Sequence, residues 1–199
     1  MNYNTIAEHT FNESLLKSNG WILDVGSRYG EFSRYFASRG FSVIAVDPNP
    51  TITKDNLEGA IFENVALVPM SLSGSEVDYV LCNVDSQCNH ISGVPLNADI
   101  YPHLTERGTS VIKVPSMTIF QLMQKYNVDS FELAKFDCEG SEVLLLDCQP
   151  IAKQISIEFH LHMGQPQVIA DQIINHLESI GYVRHGQNYG NILFTLEDR

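Results

Sequence analysis

The chain has 199 residues, 44% hydrophobic and 18% charged, the make-up of one folded domain with a sizeable core rather than of a disordered or fibrous chain. Acidic residues outnumber basic ones 24 to 12 for a net charge of -12, which repels phosphate backbones and anionic lipid and so disfavours nucleic-acid and membrane partners. No apolar run reaches the length of a bilayer span and no secretory signal opens the chain, so a cytoplasmic protein is expected; Cys82, Cys88, Cys138 and Cys148 include no CxxC pair and read as reduced thiols.

Residues 5–18 read as a polar helix, the body of an N-terminal helical segment over 1–19. Trp21 to Val25 is a short apolar run closed by Gly26, the profile of a buried parallel strand. From Glu31 to Arg39, Phe32, Tyr35 and Phe36 share one helical face, and Gly40 ends the helix. Ser42 to Val46 is a second strand, closed by Asp47-Pro48. A short helix over Thr51 to Glu58 leads to a third strand near Ile61 to Val65. In residues 67–115 the apolar positions Val77, Tyr79 and Leu81 alternate with polar neighbours between Gly74 and Gly93, which predicts an inserted β-hairpin region.

The α/β rhythm then resumes. Ser116 is placed to cap a helix carrying Ile119, Leu122, Met123 and Tyr126. Phe131 to Phe136 and Gln154 to Phe159 are a fourth and a fifth strand, and Ile169, Ile173, Leu177 and Ile180 mark a long amphipathic helix stopped by Gly181. Tyr182 to Gln187 and Ile192 to Leu196 flank Asn188-Tyr189-Gly190 as a closing hairpin. Residues 1–199 thus read as a single α/β domain, a Rossmann-like parallel sheet with an antiparallel C-terminal hairpin.

The loop after the first strand is Asp24-Val25-Gly26-Ser27-Arg28-Tyr29-Gly30. Dinucleotide-binding folds use G-x-G-x-x-G, whose second glycine lets the backbone touch a pyrophosphate. Here Arg28 holds that place and the glycines follow G-x-x-x-G, which weakens the case for a nicotinamide-dependent reductase. Asp24 would repel a diphosphate but attract the ammonium and sulfonium of S-adenosylmethionine; the alternative is a D-x-G turn that merely joins strand to helix. Asp47 ends the second strand about 20 residues on, where an acidic residue accepts the two ribose hydroxyls, or else begins a turn before Pro48. These readings place Asp24, Gly26, Ser27, Gly30 and Asp47 at an S-adenosylmethionine site, with Asn64 at the adenine edge and Val65 as an apolar wall.

The segment Lys135-Phe136-Asp137-Cys138-Glu139-Gly140-Ser141-Glu142 resembles the K-x-D-x-E-G-x-E segment of the FkbM family of methyltransferases. The resemblance extends through Leu23 to Gly26, Gly30 with Phe32-Ser33, Asp47 to Pro50, Asn64 to Leu67 and Ile157 to His160, over roughly residues 20–162. Arg28, Asp47 and Phe120 depart from it, standing where the family more often has asparagine, glutamate and aspartate. It implies a class I methyltransferase sheet and O-methylation of a hydroxyl on a sugar or other small metabolite, and leaves the acceptor and the oligomeric state open.

Methyl transfer requires an acceptor oxygen aligned with an already activated carbon, with water expelled. Asp137 follows a parallel strand, at the end that lines the ligand crevice, and is the first candidate for base or acceptor-orienting residue; capping of the next helix is its alternative. His160 is the other candidate base. Glu139 and Glu142 crowd Asp137 with negative charge, which Lys135, on the same strand face, would offset, and Glu142 is read as bracing the loop. Glu158, His160 and His162 alternate on one face and with Asp137 could ligate a divalent ion. Histidines so placed serve more often as hydrogen-bonding or acid–base groups, so no metal is expected and a metal-assisted transfer stands as the alternative, beside a cofactor-binding module without turnover.

Overall fold

In the computed structural model, which describes residues 2–72, 74, 76–82, 89–92, 109–161, 165–186 and 190–197, the chain opens with an antiparallel hairpin. Strands β1 (Tyr3–Ile6) and β2 (His9–Asn12) flank a tight turn at Ala7 and Glu8. The helix expected over residues 5–18 is not formed; only a single 3-10 turn, Glu13–Leu15, follows the hairpin. The burial pattern has the period of a strand: His9 and Phe11 are buried and Thr10 between them is half-buried.

Next come β3 (Trp21–Val25), α1 (Glu31–Ala37), β4 (Ser42–Val46) and β5 (Ile61–Glu63). The expected helix near residues 51–58 is a 3-10 turn, Lys54–Leu57. A second sheet follows, of β6 (Ala66–Leu67), β7 (Glu76–Cys82), β8 (His90–Ile91) and β9 (Thr109–Met117). In it β7 pairs antiparallel with β8 and β9 while β6 joins β9 in parallel, so the inserted region carries the expected antiparallel strands.

The chain returns through α2 (Ile119–Tyr126), β10 (Leu133–Phe136), β11 (Gln154–Glu158), α3 (Gln167–Ser179), β12 (Tyr182–His185) and β13 (Asn191–Leu196). Ser116 does not cap α2. It lies within β9, and Thr118 is the N-cap, in a reciprocal capping box with Gln121. Asn188 and Tyr189 of the closing turn lie outside the described residues, but the strands on either side pair antiparallel as expected.

The main sheet has seven strands in the order β12-β13-β11-β10-β3-β4-β5. The five from β11 to β5 are parallel, and β13 and β12 close the edge antiparallel. Alternation along the strands builds a core on each face. Leu23, Val25, Ile44, Val46, Phe136, Ile155 and Ile157 pack with Leu122 of α2 and with Ile173 and Leu177 of α3. On the other face Ile22, Val43 and Leu133 meet Phe32 and Phe36 of α1 and Phe11 of the hairpin. Each such side chain contributes about 1.5–3 kcal/mol when fully buried, so the hairpin is an integral cover of the sheet. Among the described residues, no helix is long and apolar enough to cross a membrane.

Candidate active site

Strands β3, β4, β10 and β11 run parallel, so the loops that follow them gather at one edge of the sheet, where ligands bind in such folds. There they enclose a cleft of about 550 Å³. Its walls include Gly26 to Phe32 after β3, Asp47 to Asn49 after β4, Asp137 to Glu139 after β10, and Glu158 with His160 at the end of β11. Val65 and Tyr79 give it apolar surface, and the hairpin turn adds Ala7 and Glu8.

Gly26 is irreplaceable on steric grounds. Its φ is +75°, and a Cβ there would lie 1.7 Å from the backbone oxygen of Asp137. The first loop and the segment after β10 therefore touch backbone to backbone. Among the described residues six non-glycine residues have positive φ, and four of them, Ala7, Glu8, Arg28 and Glu139, line the cleft. Such strain, of order 1 kcal/mol or more per residue, collects where surrounding structure holds a site in shape.

Sheet register decides the electrostatics below the loop. Lys135 sits beside Asp24 on one side and Ser156 on the other. Its buried ammonium lies 3.0 Å from Asp24 Oδ1 and 3.5 Å from Asp137 Oδ2, and it donates a 2.7 Å hydrogen bond to the Gly26 carbonyl. Burial alone would lower the Lys135 pKa, but Asp24 and Asp137 outweigh it and hold it above the usual lysine value. Asp24 is fully covered, also accepts a 2.6 Å bond from the Ser33 hydroxyl, and is not part of the cleft wall. This corrects the expectation that its charge meets a cationic ligand directly: Lys135 already neutralises it.

Asp47 does face the cleft. Each of its oxygens accepts one backbone N–H at 2.9 Å, from Arg28 and from Asn49, which leaves further lone pairs on both. Burial pushes its pKa up, while those two hydrogen bonds act against it. Asn64 is committed elsewhere, donating to the carbonyls of Asp47 and Asn49 at 2.8 and 3.1 Å. It braces that loop and does not line the cleft, whereas Val65 does. Ser27 and Ser141 line the cleft, and their buried hydroxyls make no hydrogen bond among the described residues.

Around Asp137 the charges interlock. His160 Nε2 lies 3.3 Å from Asp137 Oδ1 and 3.5 Å from Glu139 Oε2, while its Nδ1 lies 3.2 Å from Glu142 Oε1. Burial disfavours the imidazolium, yet the hydrogen bonds it donates to Asp137 and Glu142 overcome it and raise the His160 pKa to about 11. An imidazolium held on both nitrogens is no general base at neutral pH, which corrects the reading of His160 as one. Burial would raise the Asp137 pKa, but Lys135, His160 and His9 hold it far below the ordinary carboxylate range. Glu139 lies at the opposite extreme, pushed up to about 8 by burial despite His160. Glu158, half-buried in the wall, is raised by burial and by nearby Asp137. Glu142 is fully buried and accepts from the Cys138 N–H and the Gln165 amide, both at 3.1 Å.

His9 escaped the sequence reading. The hairpin lays it over β11, with Nδ1 3.0 Å from Ser156 Oγ and Nε2 3.8 Å from Asp137 Oδ2. Nothing in the local sequence marks it, because the turn before it has neither glycine nor asparagine. His162 lies outside the described residues, so the metal set anticipated from sequence is only partly visible. Two other sets bring donor atoms within 4.8 Å of one another: His9 with Asp137 and Glu158, and Asp137 with Glu139 and His160. Phe120, in the first turn of α2, is exposed and outside the cleft wall.

The family model for the methyltransferase FkbM domain matches residues 24–184. Solved structures similar to the chain include a TehB-like SAM-dependent methyltransferase from Corynebacterium glutamicum, at 13% identity and a TM-score of 0.46, covering 93% of this chain and 84% of that one. No curated protein sequence matches the chain.

Proposed function

The chain belongs to the family of the methyltransferase FkbM domain, and from that premise we propose that it moves a methyl group from S-adenosylmethionine to a hydroxyl of a small acceptor, such as a sugar, in the cytoplasm. The observation that carries this reading is that Gly26, Ser27, Asp47 and Val65 line one cleft together with Lys135, Asp137 and His160. On the first edge Asp47 has lone pairs left for two ribose hydroxyls, Gly26 keeps the backbone low, and the Ser27 hydroxyl has no hydrogen-bond partner among the described residues. Val65 supplies apolar surface for the base. S-adenosylmethionine bound there supplies a methyl carbon activated by its sulfonium.

On the second edge Asp137 is held as a carboxylate by Lys135 and His160. An acid so strongly ionised is a weak base, so its part is to accept the acceptor's O–H and aim the oxygen. His160 and Lys135 set its orientation, and Glu142 fixes His160. The seven-stranded sheet, with five parallel strands and an antiparallel closing pair, supports the expectation of a class I methyltransferase arrangement. Isothermal titration with S-adenosylhomocysteine tests the first edge: Asp47→Ala should weaken binding at least about tenfold, the loss of roughly 1.4 kcal/mol. Unchanged affinity removes the ribose assignment.

A further inference from the structure

We propose that His9, Asp137 and Glu158 form a site for one divalent cation of the Mn2+ or Zn2+ kind, which would hold an acceptor oxygen in the cleft; that role, though not the binding, rests on the methyl-transfer reading above. The three residues each offer a donor atom, all within 4.8 Å of one another. That is close to the span of donors about a single ion bound at roughly 2.0–2.5 Å. One imidazole nitrogen with two carboxylate oxygens suits a cation of intermediate softness better than an all-oxygen ion such as Ca2+.

His9 provides the independent observation. Its side chain is fully buried, and among the described residues its Nε2 makes no hydrogen bond and faces Asp137 Oδ2 at 3.8 Å. Leaving a buried polar atom unsatisfied is destabilising, a cost that an apolar residue packed against Phe32, 6.1 Å away ring to ring, would avoid. The other ring nitrogen is engaged with Ser156 at 3.0 Å, the kind of outer contact that orients a metal-binding imidazole.

Charge points the same way. Asp24 is matched by Lys135 at 3.0 Å and Glu142 by His160 at 3.2 Å. Glu158 has no cationic side chain within ion-pair distance among the described residues, and Glu8 on the hairpin turn adds a further negative charge to the same wall. Lys135, 3.5 Å from Asp137 Oδ2, and the His160 imidazolium, 3.3 Å from Asp137 Oδ1, oppose a second cation and keep the affinity below that of a closed structural centre. The open side of the ion faces the cleft, because Asp137 and Glu158 both line it.

The test uses the full chain, stripped with a chelator and titrated with Mn2+ while the signal of the free ion is followed by electron paramagnetic resonance. One Mn2+ per chain is expected, weakened at least about tenfold in His9→Gln and in Glu158→Gln, with S-adenosylhomocysteine affinity of the same samples unchanged. Circular dichroism checks folding; should His9→Gln unfold, Glu158→Gln decides alone. Mn2+ binding that is absent, or equally tight in the folded variants, overturns the site. S-adenosylhomocysteine binding without Mn2+ binding removes the metal and leaves the methyl-transfer reading, and Mn2+ binding without S-adenosylhomocysteine binding does the reverse.

Discussion

Replacing Lys135 with methionine keeps the volume of the buried stem and removes only its charge. Four contacts lose their partner: Asp24 at 3.0 Å, Asp137 at 3.5 Å, the Gly26 carbonyl at 2.7 Å and the Val25 carbonyl at 3.5 Å. They are not equal. The Asp137 side chain is 30% exposed, so water takes over part of its charge and its share is small. Asp24 is 0% exposed and keeps only the Ser33 hydroxyl, so it dominates; breaking a buried pair from one side costs about 3–5 kcal/mol. At about 2–4 °C per kcal/mol for a chain of this size, Tm should fall by about 6–20 °C. Because the native pKa of Lys135 is raised, its contribution is complete below the unfolded value near 10.4 and is lost only as pH rises beyond that, so an assay at pH 7.5 reads all of it. Urea denaturation of Lys135→Met, Asp24→Asn and the double variant forms a cycle. The double variant should recover most of the loss, since neither charge is then stranded. Singles that add to within about 0.5 kcal/mol would refute the coupling.

Gly26→Ala forces a methyl group to within 1.7 Å of the Asp137 carbonyl oxygen at a φ of +75°. With about 1–2 kcal/mol for left-handed alanine alone, a loss of at least about 2 kcal/mol in urea is expected, together with weaker S-adenosylhomocysteine binding by calorimetry. Phe11→Ala, in the cluster with Phe32 and Phe36, should cost about 3–5 kcal/mol by the same unfolding assay; a neutral result would mean that the hairpin is not part of the fold. Burial raises the Cys148 pKa to about 12 and the Cys138 pKa well above its ordinary value. Both thiols therefore stay protonated at pH 8.5, and iodoacetamide should leave them unmodified in the native protein, as read by peptide mass spectrometry. In urea both should react.

Local order along the chain was enough for the central sheet. Short apolar runs ending at Gly26, Asp47 and Asp137 have the profile of buried parallel strands, and in such a sheet whatever follows a strand faces the ligand edge. That logic located Asp47, Asp137, Glu139, Glu158 and His160, all of which line the cleft. What no local pattern carried was pairing between distant segments. The first residues form a hairpin rather than a helix because Asn12 exchanges hydrogen bonds with Gln154, 142 residues away, and His9 meets Ser156, 147 residues away. Asp24 looks from sequence like an exposed anion, and register alone sets Lys135 against it. His160 reads as a base until three carboxylates surround it. Hydrophobic periodicity belongs to a residue and its neighbours in the chain, whereas a protonation state belongs to whatever charges the fold brings within a few ångströms.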